Sequence, residues 1–193
     1  NFLEDFHYDQ ELIDFLSYFS SGDYSSREVE LIINGDFFDL LAVPFVPFYD
    51  DEFWSEEASL KKLEIILDAH REVINAISSF SEKKNKKILM MIGNHDAELS
   101  FESLRSLVYS KISQEAKDHF LILHDNNGVY RPAKGIVIKH GHEYEFAHVF
   151  NESECIVENA EGRKYFSPPW GSYYVTRVIN KFKEDRGHVN AVR

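Results

Sequence analysis

Short apolar runs alternate along the chain with longer segments in which apolar residues recur at helical spacing. The apolar runs that predict strands cover residues 29–33, 87–96, 120–126 and 135–143, with a shorter one at 128–131. The segments at helical spacing cover residues 9–20, 55–82, 98–113 and 172–183. Continuous Ile, Leu, Val and Met runs between helices are typical of α/β proteins whose sheet is covered on both faces. The pattern predicts an α/β fold with layered sheets flanked by helices, in a single domain over residues 1–193.

Two further segments carry different signals. Residues 41–54 contain two prolines and many aromatic residues, which predicts a loop or broken surface segment. Residues 151–166 show no clear periodicity, and a Pro-Pro pair interrupts the chain before the last predicted helix. The aromatic residues of 45–54 and 165–174 are interpreted as packing against helices, with a substrate pocket as the alternative.

Polar side chains follow three of the predicted strands at the point where each strand ends. They are Asp36, Asp39, Asn94, His95, Asp96, His140 and His142. Because ligands of α/β proteins bind at the carboxyl ends of the strands, we expect these three groups to converge on one site. Glycine precedes the polar residues in two groups and separates the two histidines in the third. Glycine lets the backbone turn sharply and approach a ligand closely.

Carboxylate, amide and imidazole groups offer the oxygen and nitrogen ligands that suit Mn, Fe, Zn or a similar divalent ion. The absence of clustered thiols argues against a structural zinc site. Each group alone has a simpler interpretation: a Gly-Asp turn, a cap on the helix that begins near Asp96, or a solvated histidine pair. Three such groups together favour a metal site. The other histidines up to His148 are interpreted as surface or core residues.

Three motifs resemble those of the calcineurin-like metallophosphoesterases. They are "GDFFD", "GNHD" and "KHGHEYE", and they lie in the family's order between residues 35 and 145. The opening "NFLEDFHYDQELIDFL" is similar to the segment that follows the first family motif in some bacterial members. The resemblance implies an α/β/β/α sandwich and hydrolysis of phosphomonoester, phosphodiester or pyrophosphate bonds.

The same resemblance implies a role for each polar residue. Two divalent ions would be bridged by Asp36, with Asn94 and His140 as ligands of one of them, and a hydroxide held between the ions would attack phosphorus. His95 would stabilise the phosphoryl oxygens or protonate the leaving group, with Asp96 holding its ring. The remaining two side chains, Asp39 and His142, would orient the ligands and the loop without binding an ion.

The chain departs from the family pattern at both ends. The family opens with Asp-x-His after an apolar strand and closes with Gly-His-x-His. Asp5-Phe6-His7 lies in a polar segment, and Gly187-His188 has Asn190 in place of the final histidine, so both are interpreted as coincidences. We expect the chain to be an internal part of a longer protein, incomplete at both ends. A protein with unusual ends is the alternative. Ligands for a second ion then have no convincing candidate, and we expect at most one firmly bound ion.

The composition of the chain limits the kinds of partner that we expect. The net charge of −12 disfavours a stable nucleic-acid partner, although bound ions would still admit a phosphorylated small molecule or nucleotide as substrate. A single cysteine fits a reducing, cytoplasmic setting, and no apolar stretch reaches the roughly 20 residues of a membrane helix. The oligomeric state stays open. The alternative function is a binding or scaffold module on the same fold that has lost full metal coordination.

Overall fold

A three-stranded parallel sheet forms the centre of the molecule. The computed structural model describes Leu3 and residues 6–124 and 128–185. Strand β1 (Val29–Asn34) pairs with β2 (Lys86–Met91), and β2 pairs with β3 (Phe120–Leu123). The central strand is almost wholly buried, which explains its unbroken apolar run. The predicted α/β class and the first three strands are confirmed.

Helices connect the parallel strands and cover the sheet. Helix α1 (Asp9–Ser20) precedes β1 and contacts α3 (Arg71–Ser81), while α2 (Glu56–Ala69) contacts α4 (Glu102–Ser110). A side-chain cap begins α2, because the hydroxyl of Ser55 accepts a hydrogen bond from the Ala58 N–H at 3.1 Å.

The single helix predicted over residues 55–82 is interrupted at His70. This residue has a non-helical ψ of 34° and ends α2 while beginning α3. Its Nδ1 lies 2.8 Å from Oδ1 of Asp9, so a contact to α1 holds the junction. The helix predicted over 98–113 is likewise shorter. It is preceded by a 3₁₀ turn at Ala97–Ser100.

The prediction of a buried strand over residues 135–143 is wrong. Only β5 (Ile138–Lys139) forms there, and it pairs antiparallel with β4 (Val129–Tyr130), outside the parallel sheet. Ile136 and Val137 are about half exposed, at 50% and 48%, so burial does not favour a long strand. Positive φ angles at the glycines on either side, 135 and 141, also break the extended run.

The chain continues with a hairpin that the sequence pattern does not reveal. Strands β6 (Ile156–Glu158) and β7 (Lys164–Phe166) pair antiparallel within the segment that lacks periodicity. The final helical stretch consists of α5 (Trp170–Tyr174), a π-helical turn (Val175–Ile179) and α6 (Asn180–Asp185). Among the described residues, the strands outside the parallel sheet form only these two-stranded pairs.

Aromatic residues from the loop before α2 form part of the core. Phe53 and Trp54 are buried, and the indole of Trp54 contacts the rings of Phe166 and Tyr173 at 6.1 and 5.5 Å. These aromatic residues therefore pack in the core, as interpreted from the sequence, and are not part of a surface segment. The interpretation does not hold for Phe45, Tyr49, Trp170 and Tyr174, which are exposed. Within the part of the chain that the structure describes, every helix is too short or too polar to cross a membrane.

A buried ion pair lies beside this aromatic cluster. Nζ of Lys62 is 2.9 Å from Oε1 of Glu98, and both side chains have no exposed surface. The ammonium also lies 3.6 Å from the centre of the Phe53 ring. Burial lowers the pKa of Lys62, although Glu98 acts in the opposite direction. The pair connects α2 to the turn that follows β2.

Candidate functional site

Two glycines allow the ends of β1 and β2 to meet. Gly35 has a φ of +80°, and Asp36 follows it with a φ of +55°, a left-handed conformation that is unusual outside glycine. A Cβ atom on Gly93 would lie 2.1 Å from Oδ1 of Asp36, and one on Gly35 would lie 2.9 Å from Cα of Gly93. Only glycine fits at either position, and the close approach sets the Asp36 carboxylate directly over the end of β2.

Two of the predicted ligands, Asp36 and Asn94, lie within hydrogen-bonding range of the third, His140. Nε2 of His140 is 3.3 Å from Oδ2 of Asp36 and 3.2 Å from Oδ1 of Asn94. Their predicted proximity is confirmed. His140 directly follows the short strand β5, which lies outside the parallel sheet. The expectation that it lies at the end of another strand of the covered sheet is wrong.

The other ring nitrogen of His140 is fixed by the end of β1. Nδ1 lies 2.5 Å from the carbonyl oxygen of Asn34, and a carbonyl only accepts, so Nδ1 carries a proton. The side-chain amide of Asn34 in turn donates to the carbonyl of Lys139 at 3.1 Å. This arrangement turns Nε2 toward the carboxylate and the amide oxygen. A histidine bound to a metal is commonly held in the same way, by its second nitrogen on a carbonyl.

The electrostatics of the cluster favour a positive charge between the three atoms. The hydrogen bond to Asp36 raises the pKa of His140 to about 9. Burial acts to raise the pKa of Asp36, but the bonds from His140 and from the His95 amide outweigh it and lower that pKa. A proton on Nε2 supplies the positive charge in the absence of an ion. A divalent cation would meet the same electron-rich atoms once that proton leaves.

The cluster is small as a metal site. Among the described residues, no group of three or more His, Cys, Asp and Glu side chains is arranged to hold a metal ion. Asp36 and His140 are two such ligands, and the Asn94 amide is the third group. His7 is exposed, and His188 and Asp5 lie outside the described residues. The described residues therefore offer ligands for one ion, and the Asp36 carboxylate could also be shared with a second.

His95 lies on the other side of the Asp36 carboxylate. Its backbone N–H donates to Oδ1 of Asp36 at 2.8 Å, and its ring Nδ1 lies 2.9 Å from Oδ1 of Asp39. Burial acts to lower the pKa of His95, but the bond to Asp39 and the surrounding carboxylates raise it. The carboxylates therefore favour the protonated ring, the contact with Asp39 orients it, and its Nε2 makes no described hydrogen bond.

The partner of the His95 ring differs from the predicted one. Asp39 contacts the ring, and the expectation that Asp96 does so is wrong. Asp96 instead accepts hydrogen bonds from three backbone N–H groups: Gly93 at 2.7 Å, Phe37 at 2.8 Å and Phe38 at 3.3 Å. The carboxylate thus joins the loop after β1 to the loop after β2. Both of its oxygens are engaged in these bonds, Oδ1 by Gly93 and Oδ2 by the two phenylalanines.

Complete burial gives Asp96 an unusual acidity. Burial and the nearby Asp36 charge raise its pKa to about 6, although the three backbone donors act in the opposite direction. Phe38 anchors the loop after β1 in the core. Its side chain is 1% exposed, and its ring contacts that of Phe37 edge-to-face with centroids 5.0 Å apart. The two phenylalanines thus anchor the loop.

His142 lies at the edge of the cluster. Its ring stacks on Phe150, with centroids 4.7 Å apart and an interplanar angle of 7°, and lies 5.3 Å from the His140 ring. Burial and the neighbouring His140 lower its pKa, so it is the neutral member of the pair. The predicted role as a support for the ligands stays a prediction.

The chain was compared with protein-family models, curated proteins and solved structures. None of the three comparisons finds a match.

Proposed function

We propose that the chain hydrolyses phosphate esters at the cluster around Asp36, and that it has a metallophosphoesterase-like α/β/β/α fold. One observation carries the proposal. The lone-pair atoms of Asp36, Asn94 and His140 converge at 3.2–3.3 Å, and an oriented His95 lies beside the same carboxylate. The motifs "GDFFD", "GNHD" and "KHGHEYE" support it independently.

The residues present fit a divalent ion at one position. Asp36, Asn94 and His140 would hold it, and Asp36 would also face a second ion. Bound divalent ions would supply charge neutralisation at the phosphate and a lower pKa for a water molecule. The chain's net charge of −12 makes local positive charge necessary for an anionic substrate.

His95 would act on the phosphate itself. Asp39 raises the pKa of its ring, so a proton is available at Nε2 near neutral pH. That proton would pass to the leaving oxygen, or the charged ring would stabilise the phosphoryl oxygens. Asp39 orients the ring, and Asp96 holds the two loops that carry His95 and Asp36 at a fixed separation.

Manganese binding and turnover test different parts of the proposal. Electron paramagnetic resonance of free Mn²⁺ counts the ions bound per chain, and release of nitrophenol from an aryl phosphate reports turnover. We expect one firmly bound ion in the native chain and a loss of that ion in Asp36→Asn or His140→Gln, because each removes one of three ligands. His95→Gln should keep the ion and lower turnover by about 10²–10⁴-fold.

His7→Gln is the matched control, since His7 is an exposed histidine outside the cluster. It should change neither binding nor turnover. Equal loss of manganese in His95→Gln and His140→Gln would contradict the separate roles. Loss of an ion in His7→Gln would place a second site at the start of the chain.

A second candidate function is a binding or scaffold module on the same fold. It is favoured by the absence, among the described residues, of a three-membered His, Cys, Asp and Glu group. A chain that binds manganese only at millimolar concentration and gives the same turnover as His95→Gln would support the module over the enzyme.

A further inference from the structure

An apolar cavity of about 610 Å³ opens beside the His95 side of the site. Its size lies within the range of about 300–1,000 Å³ that is usual for small-molecule sites. The walls come from the end of α2, the start of α3, the first turns of α1 and the loop after β1. Their aliphatic side chains include Leu12, Ile65, Ile66, Val73 and Ile74.

The polar side chains of this cavity are concentrated at one place. Asp36, Asp39 and His95 line it and are joined to one another by hydrogen bonds of 2.8 and 2.9 Å. The other polar wall residue, His70, has its Nδ1 2.8 Å from Asp9. The cavity therefore has a charged end at the candidate phosphate site and an aliphatic interior.

A ligand that matches both ends must combine an anion with an apolar chain. The interior fits a group that water solvates poorly. At the charged end His95 is the cationic group for a phosphate, and the carboxylates of Asp36 and Asp39 admit that anion only with the divalent ion of the proposed function bound. Aliphatic walls predominate. Of the three aromatic wall residues, Phe37 and Phe38 lie in the loop that carries the carboxylates, and Phe6 lies beside His70. A straight alkyl chain suits the interior better than a base or a sugar, because the described walls offer hydrogen-bonding groups mainly at the phosphate end.

We propose that the cavity binds the alkyl chain of an alkyl phosphate ester whose phosphate lies at the Asp36–His95 end. This inference rests on the proposed function and extends it to a substrate class. The ester oxygen would lie at the boundary between the two regions. The leaving alcohol of hydrolysis would then remain in the apolar interior until it dissociates.

Alkylphosphonates test the proposal without hydrolysis, because their C–P bond is not cleaved by a phosphoesterase. Butylphosphonate and octylphosphonate would be titrated calorimetrically into the chain in the presence of Mn²⁺. Burial of a methylene group in an apolar site raises affinity by about two- to fourfold. The four additional methylenes should therefore make octylphosphonate bind on the order of 16-fold more tightly, or better.

Ala69→Phe blocks the interior, because Ala69 lines the cavity from an exposed position at the end of α2, where a larger side chain does not disturb the core. It should reduce the ratio of the two affinities to about one while leaving butylphosphonate unaffected. Ala160→Phe, at an exposed position in the β6–β7 turn, is the matched control and should keep the ratio. Ile65→Trp provides a second blocking variant from a neighbouring exposed position.

The outcomes separate this inference from the proposed function. Equal affinity for the two phosphonates in the native chain, or a ratio that survives in both blocking variants, overturns the alkyl site. Failure of the phosphoesterase proposal has a different signature: no manganese-dependent turnover, with the chain-length ratio intact. Asp36→Asn should weaken both phosphonates alike and preserve the ratio.

Discussion

The carboxylate of Asp96 should be the main connection between the two loops of the site. Replacing it with alanine leaves three backbone N–H groups without an acceptor, and those of Gly93 and Phe38 are buried. An unpaired buried donor costs about 1–3 kcal/mol. The third donor, Phe37, is partly exposed and recovers part of its loss from water. We therefore expect Asp96→Ala to lower the free energy of unfolding by about 3–6 kcal/mol near pH 5.

The size of this loss should depend on pH. The pKa of Asp96 is raised from 3.8 to about 6 in the folded chain, so the folded state holds the proton more tightly than the unfolded state. That difference contributes about 3 kcal/mol of stability, which is fully present below pH 3.8 and disappears as the pH rises through 6. About half of it is present at pH 5 and almost none at pH 8. The loss in Asp96→Ala should thus be smaller at pH 8 than at pH 5, by on the order of 1 kcal/mol.

Urea unfolding followed by circular dichroism at both pH values measures these quantities. Comparing the variant with the native chain cancels the carboxylates that are remote from Asp96, whereas Asp36, His95 and His140 interact with its charge and contribute to the difference. Asp68→Ala is the control, because Asp68 is an exposed acid on α2 and should change stability by less than about 0.5 kcal/mol. The same loss at the two pH values would show that the Asp96 carboxylate is not held as a weak acid. A loss under about 1 kcal/mol at pH 5 would show that its three hydrogen bonds do not hold the loops together.

Two other changes test the neighbours of the site. Asp39→Asn should lower the pKa of His95, because the Asp39 carboxylate raises it. The chemical shift of the His95 Cε1 proton, followed by NMR as a function of pH, measures this pKa. An unchanged titration midpoint would exclude the contact in solution. Lys62→Met should cost about 3–5 kcal/mol in urea unfolding, because it leaves the Glu98 carboxylate buried without a partner. The double variant Lys62→Met/Glu98→Gln should recover part of that loss, whereas equal stability of the single and double variants would contradict the ion pair.

The parallel sheet could be predicted because its central strand is almost wholly buried and its two neighbours are partly buried. Burial requires an unbroken apolar run, and such runs are visible in β1, β2 and β3. The segment 135–143 has a similar apolar run, yet half-exposed side chains and glycines at both ends keep it out of the sheet. Apolar content alone does not specify whether a neighbouring strand is available, so the sequence cannot distinguish these cases.

The site could be predicted as a group of residues, but not in its internal pairing. Glycines and strand ends indicate that Asp36 and Asn94 meet. His140 joins them from outside the parallel sheet, although the strand predicted to carry it does not form. The sequence does not show that Asp39, and not Asp96, contacts the His95 ring. Both acids lie within a few residues of the loops, and only the backbone path decides which one faces the ring. The buried Lys62 is hidden for a related reason. A lysine at a helical position is normally solvent-exposed, and its partner lies 36 residues away.

His140 is held to the sheet mainly by its contacts with Asn34, Asp36 and Asn94, on a segment outside the parallel sheet. Segments with few buried contacts open at a lower free energy than a central sheet, so this one exchanges its amide hydrogens by local opening while β2 stays protected. An ion that needs all three ligands binds only the closed form. Its apparent affinity is then the intrinsic affinity multiplied by the closed fraction. Hydrogen exchange at residues 138–142 consequently measures the fraction of molecules in which all three ligands are in place. A substitution that stabilises the closed form of this segment would strengthen ion binding without any change to a ligand.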